Sequence, residues 1–308
     1  LADAFYEVPL ANSVGYVAKM LEIARCEHVD VILPQTTAET QVLATCRQIF
    51  RRAGFAVATS SGTAVARAND KYKLLVVARD LMIPCPEWFL VSNVHELYEA
   101  AHKLGYPKKP VVVKPRVSHG GRGFRVLTEK PWSMVRFFSK KPSVAEMTLD
   151  QLRAVLAKRP WPRDMLVQQF LPGTEFSIDC FRGRHGFIAI PRIREKVCSG
   201  ITMSARVTMR EDLIGYCGQL AKELDLVGAF GFQFKLGKWG VPRILECNPR
   251  VQTGMIAARA SGMDVIWAAV LESLGERVQL DSVALREVAM RRYWGAVCSY
   301  GNDVVERI

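Results

Sequence analysis

Two apolar, alternating runs, AFGFQFKL at 229–236 and VPRILECNP at 241–249, are separated only by Gly237 to Gly240. So short a connection lets the two runs pair only antiparallel, because a parallel pair needs a crossover of roughly a dozen residues or more. Alternation in the second run then points Glu246, Asn248 and Arg250 the same way, and pairing across the turn sets Gln233 opposite Glu246. A carboxylate, two amide oxygens and a guanidinium on one face can hold a hard cation and a phosphate, or merely end a strand. Cys247 turns to the other face, where a thiol packs.

Ahead of this hairpin the chain changes character twice. Residues 13–29 have helical apolar spacing, VDVILP is a short strand, 38–54 is helical up to Gly54, and FAVATS is a strand again. This order predicts an α/β layer over 1–68, one strand and helix short of a full unit, which are expected before Leu1. A second region opens at Asn69. A helix over 69–82 stops before Ile83-Pro84, and a helix over 94–107 is closed by Gly105 and Pro107. The strand PVVVKP, a glycine turn and the strand FRVLTE follow, so 69–165 reads as α+β. Residues 130–165, with a helix candidate over 145–159 among prolines, read as an insertion or a loop over a site. From 166 to 308 the sequence predicts turn-separated strands, a helix over 211–225, the hairpin and a helical tail.

With 308 residues and 49% hydrophobic content, the chain can bury a sizeable core in about two or three domains. Its formal charge of +12 favours anionic partners. The basic residues are dispersed, with KRPWPR at 158–163 the nearest to a patch, so nucleic acid is not an expected partner. No apolar run approaches the roughly 18 residues of a membrane span, and no membrane association is expected. Eight cysteines without a Cys-x-x-Cys pair predict reduced, packed thiols and a cytoplasmic setting.

Further segments carry candidate chemistry. SHGGRGF at 118–124 follows Lys114; its glycines free the backbone for tight turns that can surround phosphate oxygens, or form a plain hairpin turn. It is neither a Walker A loop nor a Rossmann fingerprint, since no helix begins there. Lys71 and Lys114 could neutralise a nucleotide's phosphates from two directions, although either alone reads as a surface residue. In LVQQFLPGTEFSIDC at 166–180, the backbone beside Leu171 could bond an adenine edge and Glu175 the ribose hydroxyls; an amphipathic hairpin is the plainer alternative. Arg192, Arg194, Lys196 and Arg206 gather positive charge around Gly200, either as a basic hairpin facing water or as a grip for a substrate carboxylate, for which Arg206 is the first choice.

Taken together and in this order, NDK at 69–71, VVVKP at 111–115, HGGRGF at 119–124, QQFLPGTEFSIDC at 168–180, GFQF at 231–234 and ECNPR at 246–250 resemble the ATP-grasp ligases. The resemblance is strongest to the branch related to the large subunit of carbamoyl phosphate synthetase and to carboxylate-amine ligases such as the one making the pyrrolysine precursor. It implies an ATP-grasp fold, α/β and α+β, in which a partial preATP-grasp domain precedes two α+β subdomains enclosing the nucleotide. In that family ATP and Mg2+, which Mn2+ can replace, are the cofactors. The implied phosphate contacts are Lys71 and Lys114, with Gly120, Gly121 and Gly123 in a lid. Gln168, Gln169, Phe170 and Leu171 would line the base, and Glu175 the ribose. Gln233, Glu246 and Asn248 would hold the metal, while Arg250, Arg206 and Lys114 would act in the chemistry. Gln169 stands where many relatives carry a glutamate, which weakens selection of adenine.

The implied reaction joins a small, amino-acid-like carboxylate to an amine through an acylphosphate, releasing ADP and phosphate, and a dimer is the expected assembly. Two alternatives stand beside it: a carboxylase or carbamoyl-phosphate-type enzyme using a small acid, and a nucleotide-binding regulatory protein with a weak site.

Overall fold

The computed structural model describes residues 2–118, 120–130, 134, 145–157, 161, 164–198, 200–280, 283–293, 297–300 and 303–307, the last two stretches as backbone only. At the N-terminus, α1 (Tyr16–Cys26), β1 (Val31–Ile32), α2 (Thr37–Thr45), α3 (Arg47–Arg52) and β2 (Ala56–Val57) form a small layer in which β1 and β2 pair in parallel. Thr36 and Glu39 cap α2 reciprocally. The single helix expected over 38–54 is two, meeting at Cys46, and Phe50 of the second joins Tyr16, Leu43 and Val57 in the core.

Next come α4 (Gly62–Asn69) and α5 (Lys71–Asp80), the former not foreseen because its apolar signal is short. Asp70 starts α5: its Oδ1 accepts the amides of Tyr72 and Lys73 at 3.1 and 3.2 Å. A five-stranded sheet then combines β3 (Trp88–Val91), β4 (Val111–Pro115), β5 (Arg125–Leu127), β6 (Glu146–Met147) and β7 (Met165–Gln169) in the order β3-β7-β4-β5-β6. Helices α6 (Val94–Lys103) and α7 (Leu149–Leu156) cover one face, packing Leu97 and Leu149 on Val111, Val113 and Val167. The division expected at 166 falls inside β7, which pairs with β3 and β4, so the change of sheet comes after Gln169. Half of the 130–165 stretch, including all of KRPWPR but Trp161, lies outside the described residues.

The larger sheet has the order β12-β11-β8-β9-β10-β13, from β8 (Glu175–Gly183), β9 (Gly186–Cys198), β10 (Ile201–Val207), β11 (Gly228–Leu236), β12 (Pro242–Asn248) and β13 (Ala289–Arg291). Helix α8 (Glu211–Glu223) joins α5 on one face, burying Phe176, Ile178, Phe230, Phe232, Phe234 and Cys247. Each buried phenylalanine there contributes about 1.5–3 kcal/mol of transfer free energy. The opposite face carries the polar alternates, Ser177, Asp179, Arg192, Arg194, Gln233, Glu246 and Asn248, before turning apolar under α9 (Ile256–Ser261) and α10 (Val265–Leu274). A separate hairpin, β14 (Val297–Tyr300) and β15 (Asp303–Arg307), ends the chain. Among the described residues, no single helix is long and apolar enough to cross a membrane.

Candidate functional site

The two sheets meet where Lys114 of β4 donates to the Leu245 carbonyl of β12 at 3.1 Å. Register places Gln233 opposite Glu246 and Gly231 opposite Asn248, with an irregularity just after Gln233. Glu246 and Asn248 therefore share a face, and the Asn248 amide donates to Glu246 Oε1 at 3.3 Å. Glu246 Oε2 lies 4.0 Å from the Lys71 ammonium at the start of α5, which also donates to the carbonyl and hydroxyl of Ser118 at 3.0 and 3.2 Å. Cys247 faces the apolar side, where burial pushes its thiol far up and leaves it inert.

Electrostatics binds this group together. Burial lowers the Lys114 ammonium to about 8, with Glu246 opposing the shift and Lys71 adding to it. Burial also lowers Lys71, again against the pull of Glu246. Arg250, just beyond β12, is lowered by burial and steadied by Glu246; its Nε donates to Thr37 Oγ1 at 3.1 Å and its Nη1 to the Val251 carbonyl at 2.9 Å. Glu246 thus acts on all three poorly hydrated cations, with Asp70 also raising Lys71 and Glu175 also raising Lys114. Such a surplus of positive charge in a cleft suits a polyphosphate, which relieves it on binding.

The glycine turn flanks this point. Gly120, Gly121 and Gly123 have φ of 61, 69 and 78°, a region costly for other residues, and a Cβ on Gly123 would lie 2.5 Å from Pro115 Cγ. His119 of the same motif lies outside the described residues. Across the cleft, Leu171 is buried and the Phe170 ring has the Lys235 ammonium 5.6 Å from its centroid. Glu175 is gripped by Arg194, whose Nε and Nη2 also donate to Thr202 Oγ1 at 3.0 Å and the Gly200 carbonyl at 2.9 Å.

Two expectations need correcting. The Gln169 amide oxygen is engaged by its own chain, accepting the Glu87 amide and Arg243 Nη1, both at 3.4 Å. Its neighbour Gln168, on the face of Lys114, has a buried Nε2 with no partner among the described residues. Arg206, expected to grip a carboxylate, stands opposite Ile193 on the other face and pairs with Glu195 at 3.0 Å, half exposed. The short turn between Cys198 and Ile201 already implies that register. Arg192 and Arg194 face the site instead.

The sequence reading also missed Gln252, although it continues the alternation of 246, 248 and 250. Its Nε2 is buried without a partner among the described residues and lies where a side chain on Gly231 would stand, 1.8 Å from that Cβ position. Beside it Arg192 forms a fully buried bidentate pair with Asp179, at 2.8 and 3.1 Å, while its Nη1 has no partner among the described residues. Gly254 makes room for that guanidinium: a Cβ there would lie 2.1 Å from Arg192 Nη2.

Known proteins share this fold. Residues 162–294 match a family described as ATP-grasp in the biosynthetic pathway with Ter operon. The carbamoyl phosphate synthase large chain of Clostridium acetobutylicum is 23% identical over 284 residues, 86% of this chain and 24% of that one. The Pyrococcus furiosus counterpart is 26% identical over 227 residues, 70% of this chain and 19% of that one. The chain thus spans about a quarter of the length of these relatives. Among solved structures, the biotin carboxylase domain dimer of Hydrogenobacter thermophilus 2-oxoglutarate carboxylase, in complex with MgADP, ADP and bicarbonate, superposes with a TM-score of 0.73 at 15% identity, covering 92% of this chain and 63% of that one. The ADP complex of N5-carboxyaminoimidazole ribonucleotide synthetase gives 0.68 at 17% identity, with 91% and 68% covered. With its fold and its distant sequence relatives in agreement, the chain belongs to the ATP-grasp superfamily, as a remote relation of the carbamoyl phosphate synthase and biotin carboxylase enzymes.

Proposed function

We propose that this chain binds ATP with magnesium between its two sheets and activates a small carboxylate as an acyl phosphate. The observation that carries the reading is the meeting of Lys71, Lys114, Arg250 and Glu246 at the sheet junction, where burial lowers all three cations and Glu246 opposes each shift. Glu246, Asn248 and Gln233 offer only hard oxygen donors for a cation, which fits magnesium completed by phosphate oxygens and waters. When bound, that ion supplies charge neutralisation of the polyphosphate. The lysines align the γ-phosphoryl group, Arg250 steadies the charge on it as it transfers, and the glycine turn at 120–123 excludes water from the product. The relatives' names favour chemistry on a small acid, of carboxylase or carbamoyl phosphate type, over amide formation as the later step.

Isotope transfer tests this directly. With ATP, magnesium, hydroxylamine and an 18O-labelled carboxylate, the acid's oxygen bonds phosphorus as the ATP phosphoanhydride breaks and ADP leaves. Hydroxylamine then attacks the acyl carbon, loses a proton, and releases phosphate carrying that oxygen. One 18O per phosphate is the expected result; unlabelled phosphate means water is the acceptor and overturns the proposal.

The lysine pair also sets a pH dependence. Lys114 has its pKa lowered to about 8, so its charge is lost as pH rises through that value, and with it part of the attraction for phosphate. Affinity for ADP should therefore fall severalfold between pH 7 and 9.5, and binding near pH 9 should take up a proton. The sign for stability is opposite. The folded chain releases this proton first, so stability from this group rises between about 8 and the ordinary 10.5. Calorimetric titration of ADP in buffers of different ionisation enthalpy checks both the affinity and the proton count.

A further inference from the structure

The polar face of the larger sheet does not end at Arg194. Across β10, Ala205 stands opposite Arg194 and Met290 opposite Ala205, so the row that includes Glu175 and Arg194 continues to Met290 of β13. There the chain leaves a cavity of about 360 Å³, floored by Met203, Ile256 and Met290, with Tyr293, Arg291 and Arg292 also lining it. Its apolar lining is open to solvent: Ile256 is 57% exposed and Tyr293 91%. The cavity is tied to the candidate site by a chain of contacts. Arg292 Nε donates to the Thr202 carbonyl at 3.1 Å and Arg292 Nη2 to the Thr253 carbonyl, while Thr202 Oγ1 accepts from Arg194, which holds Glu175. Thr253 adjoins Gln252.

From this we infer that the acid activated at the site carries an apolar substituent of a few carbons, seated in the Met203, Ile256 and Met290 cavity, and is larger than bicarbonate. The inference rests on the proposed activation of a carboxylate. The volume lies at the small end of ligand pockets, about 300–1,000 Å³, which suits a short aliphatic or aromatic group. Its lining is apolar and therefore gains from covering such a group. The charges select the other end of the molecule. On this face Arg192 is paired with Asp179 and Arg194 with Glu175, while Arg192 Nη1, without a partner among the described residues, and Arg292 at the cavity itself present N–H groups that a carboxylate can accept and an ammonium cannot. A bicarbonate ion has nothing to place against three apolar side chains.

The test is a chain-length series. Hydroxamate formation from ATP, magnesium and hydroxylamine is measured with acetate, butyrate and hexanoate, for the natural chain and for Ile256→Trp and Met203→Ala. Ile256 is exposed, so a larger side chain there is compatible with folding. The expected KM falls about three- to fourfold for each added methylene. Ile256→Trp should raise the hexanoate-to-acetate KM ratio at least tenfold, and Met203→Ala should extend the gain to longer acids. Equal KM values for the three acids, or a series unaltered by Ile256→Trp, would overturn the pocket while leaving carboxylate activation intact. If no acid yields hydroxamate, activation itself has failed, and calorimetric titration of hexanoate then decides the pocket: binding weakened by Ile256→Trp upholds it, and binding absent or indifferent to the substitution overturns it.

Discussion

Replacing Glu246 by Gln is expected to lower magnesium-dependent ADP release by about 10²–10³-fold, the range seen when one preorganised electrostatic partner of a transition state is removed. The side chain keeps its shape and loses its charge. Among Gln233, Glu246 and Asn248 it is the one carboxylate, so the loss falls on any hard cation bound there. It also removes the group that opposes the lowering of Lys71, Lys114 and Arg250. The Lys114 ammonium should then titrate lower than in the natural chain, which couples the loss of metal to a loss of phosphate grip. Magnesium-dependent ADP affinity, measured beside the rate, separates the two contributions. A melting temperature within a few degrees of the natural chain shows that the effect is local, and a rate loss below tenfold would remove Glu246 from its assigned place.

The largest stability effect is expected at Asp179→Ala. Its carboxylate is fully buried, and burial pushes its pKa up against the pull of Arg192. Removing it leaves the Arg192 guanidinium, itself 2% exposed, without a counter-charge in the sheet interior. Breaking a buried pair from one side costs about 3–5 kcal/mol, which corresponds to a fall in melting temperature on the order of 10 °C. The double variant Asp179→Leu, Arg192→Met should recover most of that loss, because a matched apolar pair has no stranded charge. Gly254 lies against the guanidinium, so the single variant should also loosen the turn at Thr253–Met255 and weaken use of the acid. A change of less than about 1 kcal/mol for Asp179→Ala, measured by thermal unfolding, would contradict the account.

The parts of the site that were legible in the sequence are those set by short intervals. A turn of a few residues and a two-residue pleat are enough to bring Gln233 opposite Glu246, to give Asn248 the same face, and to send Cys247 into the core. The same pleat rule, applied across the turn after Cys198, sets Arg206 away from Arg192 and Arg194. Gln168 and Gln169 were both expected to line the base, and only the sheet shows that Gln168 shares the face of Lys114 while the Gln169 oxygen accepts from Glu87 and Arg243. Helix α4 and strands β3 and β13 are short and owe their form to neighbours. Their local signal is correspondingly weak.

The sequence by itself determined the alternation, the hairpin, the glycine turn and the order of motifs that marks the superfamily, because each depends on backbone geometry over a few residues. Tertiary structure alone decided the company those residues keep. The order β12-β11-β8-β9-β10-β13 brings Asp179 to Arg192, Glu175 to Arg194 and the Gln252 amide over Gly231. Docking of the N-terminal layer brings Thr37 to Arg250 across 213 residues of sequence. Such meetings follow from how the apolar faces of two sheets and their helices are buried together, a property of the whole chain that no local period encodes.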